Sequence, residues 1–227
     1  ELGLLGLALP EASGGIAFGA VEAMVVMEEL GRGMVLEPYA AVALVAAPML
    51  AASKAPEAAR RAQGIADGSA IVVLAHQERG ARYGLAKVET RAERDPPGAW
   101  RISGAKSLVP AGEHADAFIV PARVSGAKDD PKGIALFLVE RGASVTLRGY
   151  PTQDGACAAE LTLAQSPGIE LLPAGPAFDA LEAAIDRGIA AVAAEAVGVM
   201  DKLVALTVEY MNTRKQFGVA IGTFQAL

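Results

Sequence analysis

Apolar residues recur at helical spacing toward both ends of the chain and nearly alternate in its middle. Val21, Met24, Val25 and Leu30 share one face of a 3.6-residue repeat, with Glu22, Glu28 and Glu29 opposite and glycines at 31 and 33 closing the element. This predicts an amphipathic helix over 21–31. Pro38 suits a first helical turn, and the Ala/Val/Leu-rich stretch up to Ser53 predicts a largely buried helix bent at Pro48. A shorter helix should run from Pro56 to near Gly68.

From residue 70 the period falls toward two. Strands are expected over 70–75, 88–92, 100–103, 118–124, 134–139, 145–148 and 158–163, with Asp95-Pro96-Pro97-Gly98 as a turn and Gly, Pro and Asp clusters over 125–133 and 149–155. Regularly spaced short strands suggest a small barrel or sandwich, with Trp100 as a core anchor and Lys128 to Lys132 as a solvated hairpin loop. The helical period returns at Pro176. Phe178, Leu181, Ile185, Ile189, Val192 and Val199 form an apolar stripe that continues into Leu203, Leu206 and Tyr210, a long helix or a helix pair. The order is therefore α+β: a helical part over 1–68, a β part over 69–172 and a second helical part over 173–227.

Hydrophobic residues make up 52% of the chain and aromatics only 5%, so the interior must be built from Ala, Val, Leu and Ile in closely packed helices. A net charge of −6 and a pI near 5.1 argue against nucleic-acid binding. Lone Cys157 excludes an intramolecular disulfide and reads as a small core residue, with no metal-ligand spacing around it. The stretch from Tyr39 to Ala52 is too short for a membrane span and contains Pro48. The start of the chain lacks the pattern of a signal peptide, so a cytoplasmic protein is expected.

The most informative string is Tyr210 to Gly218, followed by Phe224 and Gln225. Arg214 offers a planar fork for a phosphate, Phe217 an aromatic face for a ring system, and Gly218 a helix end. Basic residues opposing the helix dipole before a Gly cap are the plainer account. Ser107, His114 and Asp116 can be strung into a triad on paper, but the spacing supplies no nucleophile elbow. His76 stands at the end of the first strand, as a cofactor neighbour or as a polar strand cap.

Taken with Leu2 to Leu7, Pro10-Glu11, Glu28 to Gly33, Trp100 to Lys106, Asp154-Gly155 and Ala196 to Gly198, that string resembles the acyl-CoA dehydrogenase family along the whole chain. The resemblance implies N-terminal helices, a middle β-barrel or sandwich and the start of a C-terminal helical bundle. It further implies FAD, an acyl-CoA substrate, an electron-transfer flavoprotein or similar acceptor, and a homo- or hetero-oligomer, dimer or tetramer, with FAD near the subunit interface. Arg214, Gln216, Phe217 and Gln225 would then touch FAD held by a neighbouring subunit. His76, Gln77, Leu108, Val109 and Pro110 would face the chain's own flavin, and Tyr83, Asp186 and Arg187 the substrate.

Several positions depart from the family pattern. In the first flavin loop Gln77 replaces a Thr and Tyr83 a Ser, while Arg79 and Arg82 add charge; in the second, Leu108 replaces a stacking Trp and Pro110 a hydroxyl-bearing residue. As a set these departures resemble the small subunits of pimeloyl-CoA dehydrogenases, which implies one half of a hetero-oligomeric flavoenzyme for a medium-chain or dicarboxylyl thioester. The family's usual catalytic Glu would lie beyond Leu227. An alternative position on the long helix is level with Gly188, which cannot serve, leaving Asp186 as a weak stand-in. The chain begins without Met and stops without a helix-stop signal, so it reads as part of a longer protein. A noncatalytic partner subunit that completes another chain's FAD site is the competing expectation.

Overall fold

The computed structural model describes residues 2–226. Its first long helix is Ala20–Arg32 (α1), started by the Glu22 carboxylate accepting the Gly19 N–H at 2.8 Å. Only Met27 and Gly31 are buried along it, while Val21, Met24 and Val25 of the expected core stripe face outward. The stretch after Tyr39 is helical as expected but opens wide. Ala40–Ala46 is a π-helical turn, in which the Ala47 N–H reaches back five residues to the Val42 carbonyl, and Ala47–Ala51 (α2) follows. Pro48 has no N–H to continue the regular ladder, and the wide turn before it absorbs the mismatch. Pro56–Ala66 (α3) ends just before Gly68, which turns the chain at φ 78°.

Seven strands follow: Val72–Leu74 (β1), Arg91–Arg94 (β2), Trp100–Pro110 (β3), Ala117–Arg123 (β4), Ile134–Glu140 (β5), Val145–Pro151 (β6) and Cys157–Leu172 (β7). The pairs β4–β5, β5–β7, β7–β3 and β3–β2 are antiparallel, and β2 returns to β4 through Arg91 opposite Arg123, closing a barrel. β1 adds to β4 in parallel, and β6 to β7 antiparallel. β4 is buried at every position, which explains its unbroken apolar run. Trp100 meets Phe137 edge to face at 5.2 Å and carries the Arg94 guanidinium 4.2 Å over its ring.

Three expectations change here. The strand expected over 88–92 begins only at Arg91, because the N–H groups of Glu89 and Thr90 are taken by the Glu78 carboxylate at 2.7 and 3.1 Å. The loop from Lys128 to Lys132 is not merely solvated, since the Lys128 and Asp130 carbonyls accept from the buried Arg123 guanidinium at 2.7 and 2.8 Å. Cys157 lies half-buried at the start of β7, opposite Pro151, rather than in the core.

Pro176–Thr213 (α4) is one helix of 38 residues. Its buried face is Ala177, Leu181, Ala184, Ala191, Ala194 and Gly198; Ile189, Val192, Leu203, Leu206 and Tyr210 of the expected stripe are exposed. Small residues line the packed face because α1 and α4 meet backbone to backbone. A Cβ on Gly198 would lie 1.8 Å from the Glu28 carbonyl oxygen, and one on Gly31 would lie 2.1 Å from that of Glu195. A hairpin of Lys215–Gln216 (β8) and Val219–Ala220 (β9) follows. Among the described residues no helix is long and apolar enough to cross a membrane.

Candidate functional site

A cavity of about 540 Å³ opens on the barrel between the turn Gln77 to Tyr83 and the facing residues Ser107 and Leu108 of β3, with Glu160 of β7 at its side. Local chemistry sets both walls. The Ser107 N–H donates to the Gln77 carbonyl at 2.9 Å, tying the turn to β3. Within β3 the register against β7 slips between Lys106 and Val109, a bulge at which Leu108 takes φ 52°. Lys106 and Val109 therefore both point inward at 1% exposure, and Leu108 is pushed out to 55%.

Behind the wall lies a buried ion pair. Lys106 Nζ donates to Glu78 Oε1 at 2.7 Å and to the Pro121 carbonyl at 2.8 Å. Thr90 Oγ1 adds a bond of 2.7 Å to the same carboxylate oxygen. Burial alone would raise the Glu78 pKa, but the Lys106 charge and the bonds from Lys106, Thr90 and Glu89 hold it below the usual carboxylate range. Burial lowers the Lys106 pKa, and Glu78 opposes that shift. His76, half-buried beside them, is lowered to about 4, first by burial and then by the Lys106 charge, so its imidazole is neutral at neutral pH. The second acid of the wall, Glu160, accepts from Arg79 Nε at 3.2 Å.

Of the residues singled out in the sequence, Gln77, Tyr83 and Leu108 come together on the cavity. His76 does not line it, and Val109 packs in the core, with its side chain off the cavity. Pro110 is exposed two residues past the bulge, off the cavity wall. Asp186 and Arg187 are exposed on α4 and make no ion pair among the described residues; they do not reach the cavity. Arg214, Gln216, Phe217 and Gln225 lie on the hairpin segment after α4, where Phe217 is 93% exposed and meets Phe224 edge to face at 6.3 Å. None of them touches this cavity. The paper triad dissolves: Asp116 accepts the Ile71 N–H at 2.8 Å, and no hydrogen bond joins Ser107, His114 and Asp116 among the described residues. No cluster of three metal-ligating side chains occurs among the described residues.

Sequence reading missed Lys106 and Arg123 as buried charges. Parity held the signal for the first, since Lys106 sits two steps of two from fully buried Ile102 on the same strand. For the second, it was a lone charge in the apolar run of β4. Arg123 donates to the carbonyls of Val88, Ala86, Lys128, Asp130 and Ser125, pinning the segment before β2 to the loop between β4 and β5.

A flavin dinucleotide fits this wall in part. Among the described residues the backbone N–H groups of Arg79, Gly80, Arg82 and Tyr83 have no acceptor, which suits a phosphoanhydride. Leu108 presents an aliphatic rather than an aromatic surface to a ring.

Comparison with known proteins agrees along nearly the whole chain. Family models match in order: acyl-CoA dehydrogenase, N-terminal domain, over residues 1–68; middle domain over 74–165; and C-terminal domain over 178–227. Acyl-CoA dehydrogenase FadE27 of Mycobacterium tuberculosis is 28% identical over all of this chain and 58% of its own length. Acyl-CoA dehydrogenase FadE12 of the same organism is 31% identical over all of this chain and 60% of its own. The chain thus spans about three fifths of the length of these relatives. Among solved structures, the Tcur3481-Tcur3483 steroid ACAD G363A variant shares 35% identity and a TM-score of 0.83 over 99% of this chain and 58% of that one. The glutaryl-coenzyme A dehydrogenase glutaryl-CoA complex superposes with a TM-score of 0.91 over 100% of this chain and 60% of its own, at 22% identity, a likeness of fold alone.

Proposed function

The chain belongs to the acyl-CoA dehydrogenase family, and we propose that its protein carries out FAD-dependent α,β-dehydrogenation of an acyl-CoA thioester, medium-chain or dicarboxylyl, as in β-oxidation. The observation that carries this reading is the cavity at the barrel mouth, with its free N–H groups and two arginines beside an apolar ledge at Leu108. Bound FAD would supply the hydride acceptor. Gln77, Arg79, Gly80, Arg82 and Tyr83 would hold its phosphates or those of the thioester, and Leu108 would close against a ring. Lys106, Glu78 and Thr90 keep both walls in place from behind.

Proton abstraction needs a carboxylate with a pKa near working pH. Neither acid on the cavity wall suits, since Glu78 accepts four internal bonds and Glu160 is paired with Arg79. The base therefore comes from elsewhere in the full-length protein, and an electron-transfer flavoprotein or similar carrier takes the electrons. The reading places the protein in the cytoplasm.

A second reading is favoured by Leu108, Pro110 and the lack of a usable acid on the wall: a partner subunit whose Arg214, Phe217 and Gln225 complete the FAD site of another chain. The exposed Phe217 hairpin suits such an arm, and the designation of the 35% identical structure pairs Tcur3481 with Tcur3483. The flavin absorption spectrum of the full-length protein, alone and co-purified with its partner, with and without a medium-chain acyl-CoA, separates the two. Flavin in the lone protein that bleaches on adding the thioester supports the dehydrogenase. Flavin only with the partner supports the accessory subunit, and flavin in neither overturns both.

A further inference from the structure

Glu160 stands between two guanidinium groups and pairs with one of them. One carboxylate oxygen accepts from Arg79 Nε at 3.2 Å, and the other accepts from the Tyr150 hydroxyl at 3.5 Å. Arg148 lies directly opposite Glu160 in the register of β6 and β7, two residues from Tyr150 and so on the same face. It makes no ion pair among the described residues. Opposed residues of an antiparallel pair hold their Cβ atoms roughly 5 Å apart, which leaves the Glu160 carboxylate within reach of the longer Arg148 side chain. The Arg79 contact, by contrast, spans the cavity, since its two partners line opposite sides. Among the described residues no other hydrogen bond or ion pair ties residues 79–84 to β7; Gln77 is tied to β3, Glu78 to Lys106 and Thr90, and Gly80 to Lys87. Arg79 is 80% exposed and donates through Nε alone rather than through a two-pronged fork, so the contact breaks readily. The Glu160 side chain is only 27% exposed and calls for a second partner when it does.

Resting on the function proposed above, we propose that Glu160 is a two-position switch that regulates entry to the cavity. Paired with Arg79, as in this structure, it straps the turn across to β7. Passed to Arg148, it frees the turn and opens the cavity on that side. Glu160 and Arg148 hold no part of the ligand; they set how often the turn is released.

Two variants of the full-length protein push the switch in opposite directions. E160Q removes the strap and R148Q removes its alternative partner, with R60Q at an exposed position of α3 as control. The first readout is amide exchange of the ligand-free protein at Ala81 and Gly84, whose N–H groups close the turn on the Glu78 and Ala81 carbonyls. Exchange there should quicken in E160Q by up to about fivefold, the size of one exposed ion pair, and slow in R148Q, with R60Q unchanged. Raised salt should quicken the wild type toward E160Q, because the pair is screened. The second readout is the stopped-flow association rate of FAD and of butyryl-CoA, which should follow the same order, E160Q above wild type above R148Q. Exchange that moves the same way in both variants, or in neither, overturns the switch. So does exchange in the expected order beside association rates that match the wild type. The expected order of exchange in a protein that binds neither FAD nor butyryl-CoA keeps the switch and defeats the proposed function.

Discussion

Lys106 Nζ lies 2.7 Å from Glu78 Oε1, the lysine side chain fully buried and the glutamate side chain 7% exposed. With Thr90 and the Pro121 carbonyl this pair joins the turn before β2 to the middle of β3 and to β4. Removing the ammonium leaves a buried carboxylate without its cation, which costs about 3–5 kcal/mol. K106M should therefore lower the urea midpoint sharply. The double variant K106M/E78M should be more stable than K106M alone, because no orphaned charge remains; a double variant no better than the single would show that the pair does not couple.

His76 links stability to pH. Its ordinary value of 6.5 falls to about 4 in the folded protein. Above 6.5 both folded and unfolded states hold a neutral imidazole, so the linkage vanishes there. Between 6.5 and 4 the unfolded chain binds a proton that the folded protein refuses, and stability falls with pH by at most roughly 3 kcal/mol. H76Q should flatten the stability profile across that window, read by urea denaturation at stepped pH.

The crossing of α1 and α4 leaves no room for a methyl group at position 198. G198A places Cβ 1.8 Å from the Glu28 carbonyl oxygen, so the helices must part. A loss of about 1–3 kcal/mol is expected. G188A, ten residues earlier on the same helix, meets only Val45 Cγ2 at 3.4 Å and should be neutral or slightly stabilising in thermal melts.

Arg123 holds two loops through carbonyls alone. R123M strips the donors from Val88, Ala86, Lys128 and Asp130, and should cost about 3 kcal/mol. Amide hydrogen exchange should quicken at residues 84–90 and 124–133 first, while β5 stays protected. Uniform exchange across the barrel would show a global rather than a local role.

The sequence by itself determined the order of helices, strands and long final helix, and most strand positions, because periods of 3.6 and two are written in neighbouring residues. Pro48, Gly68 and the turn at Asp95 also acted locally. Motif order along the chain carried the family resemblance, and that resemblance singled out Gln77, Tyr83 and Leu108, which the fold brings onto one cavity. The tertiary structure alone decided which apolar face of α4 is inside. Close approach to α1 rewards Ala194 and Gly198 over Val192 and Leu203, and that depends on another helix nearly 170 residues away in the chain. It also decided that Val109 lies in the core, since the bulge at Leu108 resets the alternation of β3. The ion pairs of the wall, Lys106 with Glu78 and Arg79 with Glu160, could be read only there too, because an ion pair is a distance between segments and not a property of either one.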